Sequence, residues 1–340
     1  MSDKANPFFE AAETEELRRT ITRLQQQLRR AKAKTDELVD AVIIASKDAV
    51  LAQMPAFDIK TLPYRHDNES DKTKVALLHL TDWQGGKRTV SYNSEIMAQR
   101  VKNVVAKALK ITDLVRHHSN VTKCVVLLGG DMVEGLFNFP TQAFEIDSTI
   151  FEQYVNVSAL LVNTITTLLA YFEKVEVIAE WGNHGRIGSS RATVPRSDNV
   201  DRMCYELARQ LLKDIPHLKW NDSAEDIQRV EIGRYRALLI HGDEIGRNGF
   251  ASKTAIVSHC NRWRSGGYEW PFQDVYVGHY HTHYEESLAD GLGAVYGTAS
   301  TESDNRYASE KLASRGQPSQ RLHFIDPEKG IVTAQYKLWA

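Results

Sequence analysis

The 340-residue chain is poor in cysteine. It has Cys124, Cys204 and Cys260, an odd set without C-x-x-C spacing. That excludes a disulfide framework and a zinc ribbon and points to a reducing, intracellular setting. Cys124, in an apolar run, reads as core. Long uncharged apolar runs are also missing. None approaches the roughly 20 residues that span a bilayer. The opening MSDKANPFFEAAE is acidic without an apolar core, so no secretory signal is expected and the chain reads as cytoplasmic. Net charge is only −2, so there is no global electrostatic pull toward nucleic acid or membrane.

Glycine and proline are absent from residues 10–53. In their place Leu17, Ile21, Leu24, Leu28, Ala31, Thr35, Leu38, Val42, Ala45 and Ala49 recur at alternating steps of four and three. This is an a/d heptad seam, strongest at its start. Residues 1–53 therefore read as a unit built on an amphipathic helix, a coiled coil that joins copies of the chain through residues 14–52, with a single helix packed on its own domain as the alternative. The same segment carries Arg18, Arg19, Arg23, Arg29, Arg30, Lys32 and Lys34 without an intervening acid. A solvated coiled-coil face accounts for them, and a phosphate-holding surface is the alternative.

Residues 54–74 are polar and proline-bearing, as a linker is. From Val75 to the end, strand and helix patterns alternate. Strands are expected at 75–80, 122–130, 174–181, 236–242 and 274–279, and helices at 94–117, 148–173, 198–213 and 250–263. Ser94 is the expected cap of the first helix. The remainder reads as strands only, at 293–300, 320–326 and 330–339. Apolar strands alternating with helices make an α/β sheet covered by helices.

Five polar blocks follow five of these strands: Asp82-Trp83-Gln84, Gly130-Asp131-Met132-Val133-Glu134, Gly182-Asn183-His184, His241-Gly242-Asp243 and Gly278-His279-Tyr280-His281. In open α/β sheets ligands sit beyond the carboxyl ends of the strands, so the blocks can share one crevice. Asp82 and Gln84, like His279 and His281, are two apart, and in extended chain such pairs point the same way. Two carboxylates, three imidazoles and two amides suit Mn, Fe, Zn or Ni better than Ca or Mg. Two divalent ions carry more positive charge than Asp82 and Asp131 cancel. The surplus would bind phosphate and activate a bridging water for in-line attack.

The ordered set resembles the calcineurin-like metallophosphoesterase superfamily, whose pattern runs D-x-H, G-D-x-x-[DE], G-N-H-[DE], H and G-H-x-H, over about residues 75–340. The resemblance implies a four-layer α/β/β/α sandwich and two divalent ions, Mn first among the candidates. It implies that Asp131 bridges the ions, that Asp82, Gln84 and His281 complete one site, and that Asn183, His241 and His279 complete the other. His184 corresponds to the histidine that contacts phosphate and protonates the leaving oxygen. Two positions depart. Gln84 stands where the family has His and is a weaker, neutral ligand. Gly185 stands where Asp or Glu is usual, which removes an expected orienting partner for His184.

Arg186 follows and reads as a phosphate contact, whereas Arg191 and Arg196 read as surface residues. Glu134 is expected to orient a ligand, and Asp243 to do so for His241. His79 is expected on the other face of its strand, His283 as a neighbour of the site in one reading, and His117, His118, His217, His259 and His323 as structural. The GNHGR variant and the Gly316–Gln320 stretch look like phage-encoded members grouped with DNA-repair exonucleases, although only about 59 residues follow His281. The expected activity is metal-dependent hydrolysis of a nucleic-acid phosphodiester. The alternatives are a phosphatase or phosphodiesterase on small nucleotides or phosphoproteins, and a catalytically weak coiled-coil assembly module.

Overall fold

Apolar runs of five to eight residues, each followed by a turn, fold here as two stacked sheets. A computed structural model describes residues 72–136, 142–188, 195–221, 225–245, 253–304 and 316–340, with scattered positions between 22 and 52. The chain divides into two units, Met1–Ala52 and Gln53–Ala340. In the first, the described positions are helical. Most of the heptad seam and its basic residues, nearly all of 54–74, and Arg191 lie outside the described residues.

In the second unit the elements run β1 (Thr73–Leu80), α1 (Ser94–Arg116), β2 (Asn120–Leu128), α2 (Ile150–Leu169), β3 (Lys174–Ala179), α3 (Val200–Leu211), β4 (Leu218–Trp220), β5 (Gln228–Ile232), β6 (Tyr235–Ile240), α4 (Lys253–Arg262), β7 (Asp274–Val277), β8 (Tyr284–Ser287), β9 (Ala294–Gly297), β10 (Ser319–Asp326) and β11 (Ile331–Trp339). One sheet has the order β11-β10-β1-β2-β3-β4 and the other β5-β6-β7-β9-β8. β1 to β4 are mutually parallel, as are β6, β7 and β9. The antiparallel strands β10 and β11 close one sheet, and β5 and β8 edge the other.

Alternation along each strand builds the layers. Val75, Leu77, Val125, Leu127 and Ile178 meet Val230, Tyr235, Ala237, Leu239 and Tyr276 between the sheets. On the far side of the second sheet Leu238, Ile240, Val275 and Val277 pack on Ile256 and Cys260 of α4. α1 covers β2, β10 and β11, and α2 lies on β3 beside α3. This is the expected four-layer α/β/β/α sandwich. All three cysteines are buried and unpaired. Among the described residues no helix is long and apolar enough to cross a membrane.

Two local expectations are corrected. Ser94 is not the cap of α1: Asn93 precedes it and accepts from the Ile96 N–H at 2.8 Å. Ser94 instead bonds Asp147 through its backbone and hydroxyl. The short strands β4, β5 and β8 were not expected, because three to five residues give too little periodicity to read.

Candidate metal centre

Five of the parallel strands deliver their following loops to the same end. β1 leads to Asp82 and Gln84, β2 to Asp131, β3 to Asn183 and His184, β6 to His241, and β7 to His279 and His281. The convergence does not come from extended backbone, as the two-apart spacing suggested. Asp82, Gln84, Asp131, His279 and His281 all adopt left-handed φ, between 51° and 61°. Each loop turns sharply at the donor itself, so the side chain is thrown inward as the chain leaves. Such conformations are strained for residues with a Cβ and gather at functional sites.

The donors meet in two groups that share Asp131. Nε2 of His281 lies 3.2 Å from Oδ1 of Asp82 and 3.3 Å from Nε2 of Gln84. Gln84 Nε2 is 3.5 Å from Oδ2 of Asp131. On the other side the same Asp131 oxygen is 3.1 Å from Nε2 of His241, which is 3.1 Å from Oδ1 of Asn183. Asp131, His241 and His279 offer ligand atoms within 4.8 Å of one another. Gly182 is required here, since a Cβ on it would stand 2.0 Å from Oδ1 of Asp131.

This donor set fits divalent ions. Gln84 is fully buried, and its Oε1 has no hydrogen-bond partner. A buried amide oxygen without a partner is costly. Turning the amide about its last bond would present that oxygen to the convergence point as a ligand. Burial opposes charge on His281, but Asp82 and Glu302 raise it to about 10. Burial would push Asp131 up, yet the imidazoles of His241 and His184 hold it well below the usual carboxylate range.

A second tier of contacts aims these groups. Nδ1 of His241 sits 2.7 Å from the Gly129 carbonyl, which leaves Nε2 for a ligand role. The backbone N–H of His184 donates to Oδ1 of Asp131 at 2.7 Å. Nδ1 of His184 is 2.9 Å from the Glu134 carbonyl and 3.2 Å from its Oε2. Nε2 is then turned to the centre, 3.9 Å from Oδ2 of Asp131. Burial disfavours a charge on His184, but Asp131 and Glu134 raise it to about 9. Glu134 is itself held by Lys87 at 3.1 Å. The orienting partner that Gly185 lacks is thus supplied by Glu134.

Gly185 has a further reason. A Cβ there would stand 2.3 Å from Oδ1 of Asn199. That oxygen caps α3 by accepting from the Asp201 N–H at 2.8 Å, while the Asn199 amide donates to the Gly182 carbonyl at 2.8 Å. The space of an acidic side chain is filled by this cap.

The basic residues fall differently from expectation. Arg186 donates to Asp243 at 2.5 Å, so Asp243 serves this guanidinium rather than aiming the His241 ring. Arg196 is not a surface residue. It is largely buried, bonded to Glu180, Asp226 and Glu244, and it lies over the Trp181 ring. Glu244 in turn accepts from the Gly242 N–H at 2.7 Å. Arg196 thereby ties the loop after β3 to the loop after β6. His79 faces away from the donors, between the sheets, with Nδ1 2.8 Å from Oγ1 of Thr298. His283 feels Arg321 and Lys337; burial first, then those charges, lower it to about 3. His323 is structural as expected, 2.9 Å from the Tyr276 hydroxyl.

The candidate ligand groups share Asp131, with the Glu134–His184 pair beside them, at the carboxyl ends of two facing sheets. The arrangement is the one that the resemblance to calcineurin-like metallophosphoesterases implies. No family profile matches the chain. A curated relative, the SPbeta prophage-derived uncharacterized protein YonJ of Bacillus subtilis, is 20% identical over 221 residues, covering 63% of this chain and 51% of that protein. The chain thus spans about half the length of that relative. Among solved structures, Vps29 of Entamoeba histolytica complexed with Zn+2 is similar at 11% identity and TM-score 0.33, over 77% of this chain and 99% of that one. The hypothetical protein PH1004 of Pyrococcus horikoshii is similar at 13% and 0.37, over 78% and 88%. The sulfate thiohydrolase SoxB of Thermus thermophilus is similar at 10% and 0.34, over 81% and 57%. Likenesses this distant carry no weight for activity.

Two groups of this site were missed by reading motifs. Asp201, at the start of α3, accepts from the Met132, Val133 and Gly182 N–H groups at 3.0, 3.2 and 3.0 Å. It straps the Asp131 loop to the Asn183 loop. The segment Thr298-Ala299-Ser300-Thr301-Glu302 after β9 forms a sixth loop. Ser300 and Thr301 donate to the Asp82 carbonyl, and Glu302 lies 3.6 Å from Nδ1 of His281. A strand followed by small hydroxyl residues and an acid was the available signal.

Proposed function

We propose that the chain is a metal-dependent phosphodiesterase that cleaves nucleic acid, with two divalent ions, Mn foremost, as cofactors. The observation that carries this reading is the convergence of Asp82, Gln84, Asp131, Asn183, His241, His279 and His281 beside His184. Bound divalent ions would supply Lewis-acid stabilisation of phosphate oxygens and an acidified water. Asp82, Gln84 and His281 would hold one ion, Asn183, His241 and His279 the other, and Asp131 both.

The protein's own part is to place and protonate. Glu134 fixes Nδ1 of His184, so Nε2 faces the reacting phosphate. With its affinity for a proton raised to about 9, His184 carries the proton that a leaving alkoxide needs near neutral pH. Arg186 follows His184 by two residues and is paired with Asp243 beside His241. A guanidinium has five N–H groups, so its bond to Asp243 leaves donors for a phosphate oxygen. The basic run of residues 18–34 supports a nucleic-acid substrate, as does the prophage origin of the YonJ relative. Assembly of copies through residues 14–52 is part of the same proposal.

The test is incubation of the Mn-loaded protein with single- and double-stranded DNA, bis-p-nitrophenyl phosphate and p-nitrophenyl phosphate. DNA and the diester are expected to be cut, with DNA affinity falling as salt rises. Intact DNA under all metals tried would overturn the nuclease reading. The depth of the centre, with Asp131 and His241 at most 1% exposed, favours as second reading a small nucleotide ester. That reading expects turnover of p-nitrophenyl phosphate or a cyclic nucleotide with DNA untouched.

A further inference from the structure

Glu302 is 4% exposed, and neither of its carboxylate oxygens has a hydrogen-bond partner. A buried carboxylate in that condition is expensive unless something nearby repays it. Its location is not accidental. Its own N–H donates to the Ser300 hydroxyl at 2.9 Å, which donates to the Asp82 carbonyl at 2.6 Å. The Thr301 N–H donates to the same carbonyl at 3.2 Å, and the Thr301 hydroxyl to the Trp83 carbonyl at 3.2 Å. The loop is therefore built onto the Asp82-Trp83-Gln84 turn, and it delivers one carboxylate, 3.6 Å from Nδ1 of His281. Nε2 of that ring is the atom directed at Asp82 and Gln84.

We propose that Glu302 is a positioning residue that accepts the Nδ1 proton of His281, fixes the tautomer presenting Nε2 to the first ion, and so offsets the weak neutral ligand Gln84. It rests on the metal-centre reading above. A carboxylate behind a ligating imidazole raises the ring's basicity and locks its orientation, and removing such a partner weakens metal binding by about 10- to 100-fold. The group of Asp82, Gln84 and His281 has one imidazole, where the group of Asn183, His241 and His279 has two. Strengthening its single imidazole is the available way to hold a second ion in a site where Gln84 stands in place of a better donor.

The experiment is calorimetric titration of the metal-free full chain with Mn, without substrate. Wild type is expected to bind two ions. E302Q is expected to bind one of them about 10- to 100-fold more weakly, with the other within about twofold. Adding Q84H to E302Q is expected to restore at least tenfold at the weakened site. In the zinc-loaded protein, the downfield Nδ1 proton resonance of His281 is expected in wild type and absent in E302Q. Unchanged isotherms in E302Q overturn the proposal, as does equal weakening at both sites with a lower urea midpoint, which would mark a merely structural role. If E302Q does not fold, E302D, with its carboxylate drawn back by a methylene, is expected to show the same selective loss, and binding equal to wild type overturns the proposal. A wild-type chain that binds no Mn overturns this inference and the metal reading together. Two bound ions without cleavage of any ester overturn the proposed activity alone.

Discussion

Five donor residues hold left-handed backbone, and among the described residues Asp304 is the other non-glycine residue that does. Each such residue costs of order 1 kcal/mol in an L-amino acid, so the loops carry strain that the contacts behind them offset. Asp131 is the residue both groups share. Asp131→Asn is expected to abolish turnover and Mn binding at one site or both, with little change in the urea midpoint; full activity would show that the ligand assignment is wrong. Glu134→Gln removes the side chain that holds and charges His184. Since a general acid contributes roughly 10²- to 10⁴-fold, kcat is expected to fall by at least tenfold. The alkaline limb of the rate profile is expected to move to lower pH, because Glu134 is one of the groups raising His184. Gly185→Ala drives a methyl to 2.3 Å from Oδ1 of Asn199. Loss of that cap costs about 1 kcal/mol, readable as a lower urea midpoint, and Asn183 loses its place with it.

At the scale of elements, strand ends bring the loops together, and α3 keeps them in register. Its first turn places Asp201 across three backbone N–H groups of two loops. Burial and the nearby Asp131 charge raise Asp201 to about 6. Asp201→Ala leaves those donors without an acceptor and is expected to destabilise by about 1–3 kcal/mol. Mn affinity should fall with it, since Asp131 and Asn183 both ride on the strapped loops; unaltered Mn binding would show that the loops hold themselves. These elements were largely legible. Strands such as 75–80 and helices such as 148–173 announce themselves by apolar period, and the structure trims their ends by a few residues. Asp201 was not legible, because an acid in the first turn of a helix reads as a response to the helix dipole. Arg196 was misread for a similar reason. Its partners Glu180, Asp226 and Glu244 lie 16, 30 and 48 residues away, and no local pattern connects them.

The molecule as a whole pays for its two-sheet design with buried polar groups between the layers. His79, Thr298, Arg321, His323 and Tyr276 form a linked set there. Burial first, then Arg321, lowers His79 to about 3, and the same causes lower His323 well below its ordinary value. Both rings are therefore neutral when folded, whereas an unfolded chain takes up protons on them below about pH 6.5. Their contribution is complete above that pH and lost as pH falls. For His79 alone the loss is about 2 kcal/mol by pH 5. The urea midpoint of the metal-free protein is expected to drop between pH 6.5 and 5, and His79→Gln to flatten that drop. An equal slope in both proteins would show that carboxylates govern the acid side.

The fold class and the list of candidate donors were legible in the sequence, because ligand chemistry depends on residue type and because apolar runs mark where strands end. Even the two departures, Gln84 and Gly185, were visible as letters. What they mean was decided only in three dimensions. The space beside Gly185 belongs to Asn199, His184 leans on Glu134, Arg186 is paired with Asp243, and Glu302 stands behind His281. Such support depends on distances between loops far apart in the chain, and those distances are set by the packing of two sheets and the helix that straps them. The inward turn of the donors is likewise a property of left-handed backbone under tertiary constraint, which two-residue spacing alone does not encode.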